Sequence, residues 1–266
     1  MSFPRNEPIE ADQSALAELF HENSKHARSD YRIAQRIIMM ASNPMALAMA
    51  ESRKRYPSAQ RIALTEEFPE ARLGFDEAAI TRRSQRNFDG SPFELGTIAK
   101  LLFFANGRTG SAPTHDGRRQ SFRAAPSAGA LYPIEVYLIA LNAEEIAAGV
   151  YHHDNVENAL ELVKAGNFGQ QLARATYTEE IENAAIVIAM TGILIKTRIK
   201  YSERGYRFML MEAGHIAENI LLTANSLGLG AVPIGGFVDD EVDRLIDIDG
   251  LDEASLYLVA LGRLKR

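Results

Sequence analysis

The stretch FRAAPSAGALYPIEVYLIAL, residues 122–141, joins a turn of small residues to a strongly apolar run. Its second half, IEVYLIAL, is rich in β-branched and aromatic residues, which predicts a buried strand of a core sheet. Its first half, APSAGAL, has no side chain larger than leucine, and its proline stiffens the backbone. Two interpretations follow: the turn only has to be compact, or a flat ligand lies against it.

The composition limits what the protein can be. The chain has 266 residues, of which 46% are hydrophobic and 24% charged, and its formal net charge is −6. These values are typical of a globular protein, and the negative charge argues against a nucleic-acid partner. The absence of cysteine excludes disulfides, thiolate catalysis and iron–sulfur clusters. Redox chemistry would therefore need an organic cofactor or a metal held by nitrogen and oxygen ligands.

The sequence predicts a soluble, cytoplasmic protein with no membrane or metal partner. Its start, MSFPRNEPIE, lacks the apolar core of a signal peptide. The longest apolar stretch, residues 184–195, is well short of the roughly 20 residues that span a bilayer. The histidines are scattered, and no His, Asp or Glu cluster has the spacing of metal ligands.

Two parts of the chain differ in pattern. Residues 1–70 combine helically spaced apolar residues with prolines, which predicts a helical N-terminal extension. Residues 71–266 predict an α+β domain with a central, mostly antiparallel sheet flanked by helices. The predicted strands are IEVYLIAL, GVYHHD, ALELVKAG, AAIVIAM and SLYLVALG. The polar residues 108–124, with their glycines and proline, predict a loop.

A long helix is predicted at roughly residues 203–226. Its sequence is apolar on most faces, which predicts burial on nearly every side, His215 included. Small residues such as Ala213, Gly214 and Ala217 allow another backbone to approach closely. We therefore expect the helix to form a dimer interface. The alternative is a central helix of a monomer.

Three short segments carry candidate chemistry. In TRRSQRNF, Arg82, Arg83, Ser84 and Arg86 could bind a phosphate through charge-assisted hydrogen bonds; the alternative is that cations suit a helix C-terminus. In GLGAVPIGGF, the two final glycines let a ligand approach the backbone; the alternative is a tight turn. The adjacent Lys200 and Tyr201 are a candidate acid–base pair, or a solvated lysine beside a packed tyrosine.

Taken together, these segments resemble the nitroreductase-like flavoprotein superfamily. Within it they resemble the SagB/ThcOx-type dehydrogenase branch, which contains the azoline oxidases of peptide natural-product pathways. RRSQRNF is similar to the first FMN segment, and PSAGALYPIEVYL is the segment most specific to the branch. KYSERGYRFMLMEAGHIAENILLTANSLGLGAVPIGGF and LYLVALGR are similar to the second half and the closing strand.

The resemblance implies a homodimer with two FMN sites at the interface, each built from both subunits. The implied phosphate and ribityl contacts are Arg82, Arg83, Ser84, Arg86 and Arg263. The residues implied along the isoalloxazine ring are Pro126, Ser127, Ala128, Gly129 and Ile234, with backbone N–H groups of Gly235 and Gly236 near the flavin N5. Lys200 and Tyr201 match the catalytic pair of the azoline oxidases.

The implied function is an FMN-dependent oxidoreductase that oxidises thiazoline or oxazoline rings of a modified peptide, with oxygen as the final acceptor. One alternative is an NAD(P)H-dependent reductase of nitro compounds or quinones acting on a small molecule. Gly235 weakens this alternative, because many such enzymes have glutamate there. A further alternative is a flavin-bound scaffold subunit that works beside a cyclodehydratase partner.

Overall fold

The computed structural model describes residues 15–25, 35, 48, 52–113 and 119–265. Its strands are β1 (Arg61–Ala63), β2 (Arg108–Pro113), β3 (Arg119–Arg123), β4 (Ile134–Ala140), β5 (Gly149–Asp154), β6 (Ala159–Ala165), β7 (Ile186–Ile193), β8 (Gly230–Ile234) and β9 (Glu253–Gly262). Its helices are α1 (Leu16–Asn23), α2 (Phe75–Thr81), α3 (Leu95–Asn106), α4 (Gly169–Ala175), α5 (Leu194–Tyr201), α6 (Arg204–Ser226) and α7 (Asp239–Ile246).

Seven of these strands form one antiparallel sheet in the order β1-β6-β5-β4-β7-β9-β8. The strand predicted at residues 134–141 is β4, and it lies at the centre, between β5 and β7. The prediction of an α+β protein with a central antiparallel sheet is confirmed. Strand β8 is the last strand on one side of the sheet, a position that becomes important for the site.

The core lies on both faces of the sheet, because successive side chains of a strand point to opposite sides. Val136 and Leu138 of β4 belong to the apolar cluster that contains α3 and α6. Tyr137 and Ile139 belong to the second cluster, with α4 and α7. All seven residues of β4 are buried, and a fully buried Leu or Ile contributes roughly 1.5–3 kcal/mol. The sheet is therefore a rigid base for the turn that precedes β4.

Helix α6 confirms the predicted long helix within a residue, but its predicted burial is wrong for the single chain. Leu210 is 44% exposed and Met211 51% exposed. His215 is also exposed, although it was expected in the core. In the part of the chain that the structure describes, no element covers this face of the helix. The apolar pattern therefore did not predict which face of α6 the described part of the chain leaves exposed.

The predicted loop at residues 108–124 is also wrong, because β2 and β3 form a two-stranded antiparallel ribbon. The ribbon stands outside the main sheet, so its strands need no apolar face, and residues 108–124 show no alternating pattern. Its tip, residues 114–118, lies outside the described residues.

The predicted N-terminal extension is described only in part. Strand β1 pairs with β6 at the edge of the main sheet. Helix α1 contacts the start of α6, where the rings of Phe20 and Tyr206 meet edge to face at 5.6 Å. Residues 1–14 and most of 26–51 lie outside the described residues, so the division at residue 70 stays a prediction. None of the helices in the described ranges is long and apolar enough to cross a membrane.

Candidate functional site

The turn before β4 has an unusual backbone. Gly129, Ala130 and Tyr132 have φ angles of 62°, 52° and 47°. This left-handed region suits glycine, but it is costly for alanine and especially for a bulky aromatic residue. Such a conformation persists only where surrounding contacts hold it, and it is frequent at functional sites.

Tyr132 supplies most of those contacts. Its backbone N–H donates to Ser127 Oγ at 2.9 Å, and its hydroxyl donates to the Ser121 carbonyl at 3.1 Å. The guanidinium of Arg123 lies over its ring, 4.3 Å from the centroid. Its carbonyl accepts from Lys196 Nζ at 3.4 Å. Tyr132 therefore fixes the shape of the turn, a role that the sequence alone did not reveal.

The candidate catalytic pair meets the turn at Gly129. Lys200 and Tyr201 are the last residues of α5, which directly follows β7. A Cβ atom built on Gly129 would lie 2.6 Å from both Lys200 Nζ and Tyr201 OH. The Tyr201 ring packs edge to face on Phe208 at 4.9 Å. The structure therefore brings together two predicted parts of the site that are about 70 residues apart in sequence.

The remaining predicted residues lie along the edge strand β8. The backbone N–H of Gln85 donates to the Ala231 carbonyl at 2.9 Å, which places the arginine segment 82–86 beside the start of β8. Arg263 follows β9 at the same end, and its carbonyl accepts from Asp89. Gly235 and Gly236 follow the other end of β8, after the buried Ile234, and both are exposed. A Cβ on Gly236 would meet nothing within 4 Å.

This edge fits an elongated cofactor with one anionic end and one flat end. Five residues of extended strand separate the arginines from the glycines, which corresponds to about 16 Å. The arginines would face the phosphate, and the open glycine backbone would let a ring approach.

The cations at the phosphate end differ in their present partners. Arg82 Nε lies 3.8 Å from Glu218. Arg83 donates to the carbonyls of Ile80 and Arg82 at 3.1 and 2.8 Å. Arg263 donates to both carboxylate oxygens of Glu94, at 2.7 and 3.0 Å.

Ser84 and Arg86 are exposed in the same segment. Within the described residues, no ion pair engages the Arg86 guanidinium. Among the cations of this end, Arg86 is therefore the one whose charge is least compensated.

The two halves of the predicted site adjoin strands that are not neighbours in the sheet. Strands β7 and β9 lie between β4, which carries the 126–132 turn, and β8. Three strand spacings correspond to about 14 Å across the sheet. The turn and the Gly235–Gly236 backbone therefore adjoin strands that are separated by about this distance within one chain.

Sequence reasoning missed Glu212, a buried carboxyl below the turn. It is 2% exposed, and neither carboxylate oxygen has a well-formed hydrogen bond among the described residues, although Ser127 and the Ile134 N–H lie nearby. Burial raises the pKa of Glu212 to about 7, and the nearby Ser127 and Arg123 oppose this rise only in part. The available signal was a single acidic residue on an otherwise apolar face of the predicted long helix. The group can hold a proton near neutral pH.

A buried ionic network supports the same end of the sheet. His152 lies between Glu161, 3.0 Å from Nδ1, and Glu135, 3.2 Å from Nε2. Burial lowers the pKa of His152, but the two carboxylates outweigh it and raise the pKa overall. Lys196 adds an ion pair to Glu135 at 3.3 Å. Across the described ranges, no group of three or more such side chains could hold a metal ion.

An antiparallel sheet with helices packed on both faces defines the class of the protein as α+β. Residues 79–263 match the model of the Nitroreductase family, and the chain belongs to that family. Members of this family are generally flavin-dependent.

Two curated relatives are similar over most of the domain. A Methanocaldococcus jannaschii protein, MJ1384, named as a nitroreductase, is 33% identical over 72% of this chain and 91% of its own. The microcin B17-processing protein McbC of Escherichia coli is 34% identical over 65% of this chain and 64% of its own. The match therefore spans slightly less than two thirds of the microcin relative.

Solved structures agree with these relatives. A crystal structure from Anabaena variabilis, named as a nitroreductase, has a TM-score of 0.69 and 25% identity, and covers 92% of this chain and 45% of its own. The E. coli microcin synthetase McbBCD complex with truncated pro-MccB17 has a TM-score of 0.58 and 27% identity. That match covers 97% of this chain and 95% of the other.

Proposed function

We propose that the protein is an FMN-dependent dehydrogenase that oxidises thiazoline or oxazoline rings in a modified peptide to thiazoles or oxazoles. The observation that carries the proposal is the convergence of Lys200 and Tyr201 on Gly129. The similarity to the microcin B17-processing protein and to a microcin synthetase complex with its pro-peptide bound supports a peptide substrate.

The residues along β8 support FMN as the cofactor. Arg86 and Ser84 would hold its phosphate, with Arg82, Arg83 and Arg263 adding positive charge nearby. Gly235 and Gly236 would lie against the ring, where their backbone N–H groups can donate. Because Arg263 is already paired with Glu94, it would act mainly by holding this end in place.

The chain's own part in the reaction is to orient the ring and move one proton. The phenolate oxygen of Tyr201 would take a proton from a ring carbon and become a neutral phenol, and the Lys200 ammonium beside it would stabilise the phenolate before the transfer. When bound, FMN supplies the oxidant and accepts the second hydrogen with its electron pair. The Gly129 turn would exclude side chains from the space between Tyr201 and the ring.

We further propose that the protein works as a homodimer. The separation of the 126–132 turn from β8 supports this, because a partner can supply the second wall of each flavin site. The uncovered face of α6, with Leu210 and Met211, is the surface for that contact. We place the enzyme in the cytoplasm, beside a cyclodehydratase partner that makes its azoline substrate.

A second function has specific support. The M. jannaschii relative named as a nitroreductase matches this chain over 91% of its own length. An NAD(P)H-dependent reductase would have the same flavin site and a small-molecule substrate. Flavin that stays oxidised when NAD(P)H is added under anaerobic conditions would count against this function.

The direct test is to incubate the flavin-loaded protein with a thiazoline-containing peptide in air. Mass spectrometry should show the loss of two hydrogens per ring, together with oxygen consumption. Rapid reduction of a nitroaromatic by NADPH, with the peptide unchanged, would assign the second function instead.

A further inference from the structure

A second concave site lies beside the turn and shares none of the predicted flavin residues. It is a cavity of about 340 Å³. Five cationic side chains line it: Arg53, Arg108, Arg119, Arg123 and Lys196. No carboxylate is among its described lining residues, although the protein as a whole is acidic. This cavity is called the basic cavity below.

Arg123 is the cation that most needs an anion. Its Nη1 is buried and has no hydrogen-bond partner. Burial lowers the pKa of Arg123, and the attraction of Glu135 and Glu212 does not fully offset this. A buried guanidinium donor without an acceptor is unfavourable, and an oxyanion in the basic cavity, which Arg123 lines, would compensate its positive charge. The stack on Tyr132 holds the guanidinium in position.

Three of the other cations are held in place by contacts that do not use all their donors. Arg119 donates to Ser111 Oγ at 2.7 Å, and Arg53 to Asp154 at 2.5 Å. Lys196 contacts Glu135 and the Tyr132 carbonyl. An arginine has five N–H donors and a lysine three, so each head can also serve a ligand. Their acidic partners lie outside the cavity lining, which leaves positive charge on the inner surface.

The basic cavity adjoins the candidate reaction site. Ala130, Leu131 and Tyr132 form one wall of it. The preceding residue, Gly129, is where Lys200 and Tyr201 converge. Leu131 also packs against Tyr201. A chain whose ring lies at Tyr201 can therefore place a neighbouring residue in the cavity.

We propose that the basic cavity binds a carboxylate of the substrate peptide, from an aspartate or glutamate close to the ring that is oxidised. That the ligand belongs to a peptide follows from the proposed function, whereas the preference for a negative charge follows from the cavity alone. A carboxylate suits this lining because it can accept two parallel hydrogen bonds from one arginine. The flavin phosphate has its own arginines at the other end of the sheet, so it does not compete for this site.

The test measures binding rather than turnover. Two fluorescent azoline peptides are compared, one with glutamate beside the ring and one with glutamine, on the flavin-loaded protein at low and high salt. We expect the glutamate peptide to bind at least about tenfold more tightly, which is the usual value of a charge-assisted hydrogen bond. Arg123→Gln should abolish this preference, and so should Arg119→Gln, which lies on the outer ribbon and does not threaten folding. Arg244→Gln removes an exposed charge on α7 and should keep it.

Equal affinity for the two peptides would overturn the proposal. So would a loss of NADPH affinity in Arg119→Gln with unchanged peptide binding, because the cavity would then be a dinucleotide phosphate site. A glutamate preference without any ring oxidation would leave the carboxylate site standing and reject the proposed function.

Discussion

The hydroxyl of Tyr201 occupies the space in which a side chain on Gly129 would begin, 2.6 Å from the position of a Cβ atom there. Glycine is required at this position both for its φ of 62° and for the room that it leaves. The turn and the candidate catalytic pair are therefore one unit, although α5 and the turn belong to different parts of the chain.

Replacing Gly129 with alanine tests this unit. The methyl group would push Lys200 and Tyr201 away and strain the turn. We expect kcat for azoline oxidation to fall at least about tenfold, with a loss of about 1 kcal/mol in unfolding free energy. Gly74→Ala is the matched control, because a Cβ there meets nothing within 4 Å. A Gly129→Ala protein with wild-type kcat would separate the turn from catalysis.

The arginines of segment 82–86 should contribute unequally to FMN affinity. Arg86→Gln should weaken FMN binding at least about tenfold, since a charge-assisted contact to phosphate is lost. Arg83→Gln should have a much smaller effect, because this side chain already donates to two backbone carbonyls. Flavin fluorescence titration measures the FMN affinity of both variants. A larger effect of Arg83→Gln would contradict the assignment of Arg86 as the main phosphate contact.

The uncovered face of α6 should be the dimer contact that completes the flavin site. Met211→Glu would place a charge in that contact. We expect a monomer by light scattering and, at the same time, loss of bound flavin. Tyr177→Glu, at an 81% exposed aromatic residue outside α6, is the control and should remain a flavin-bound dimer. A Met211→Glu monomer that retains flavin would show that one chain holds the cofactor alone.

Glu212 should make stability depend on pH. Its pKa is about 7 in the folded protein and near 4.5 in the unfolded chain, so between these values the folded state alone keeps the proton. The contribution of Glu212 to the unfolding free energy is fully present below pH 4.5. It is lost as the pH rises through 7, and the total loss is about 3 kcal/mol. Glu212→Gln should remove this part of the pH dependence in urea unfolding. Glu180→Gln, at an exposed position, should leave it unchanged.

The sequence predicted the local parts of this protein well. Strand β4 and helix α6 follow from patterns within about 25 residues. The separation of Gly129 from Gly236 did not follow, because it depends on the order of β4, β7, β9 and β8 in the sheet. The exposure of Met211 escaped prediction for a related reason, since an apolar sequence does not show which chain covers it.

The central claim is that Tyr201 takes the ring proton, and single-turnover oxidation by a Tyr201→Phe protein tests it most directly. Phenylalanine keeps the packing on Phe208 and removes only the hydroxyl. With flavin content and peptide affinity measured alongside, we expect the rate of ring oxidation to fall about 100-fold or more at unchanged flavin binding. A Tyr201→Phe protein that binds flavin and oxidises azoline peptides at the wild-type rate would contradict the account.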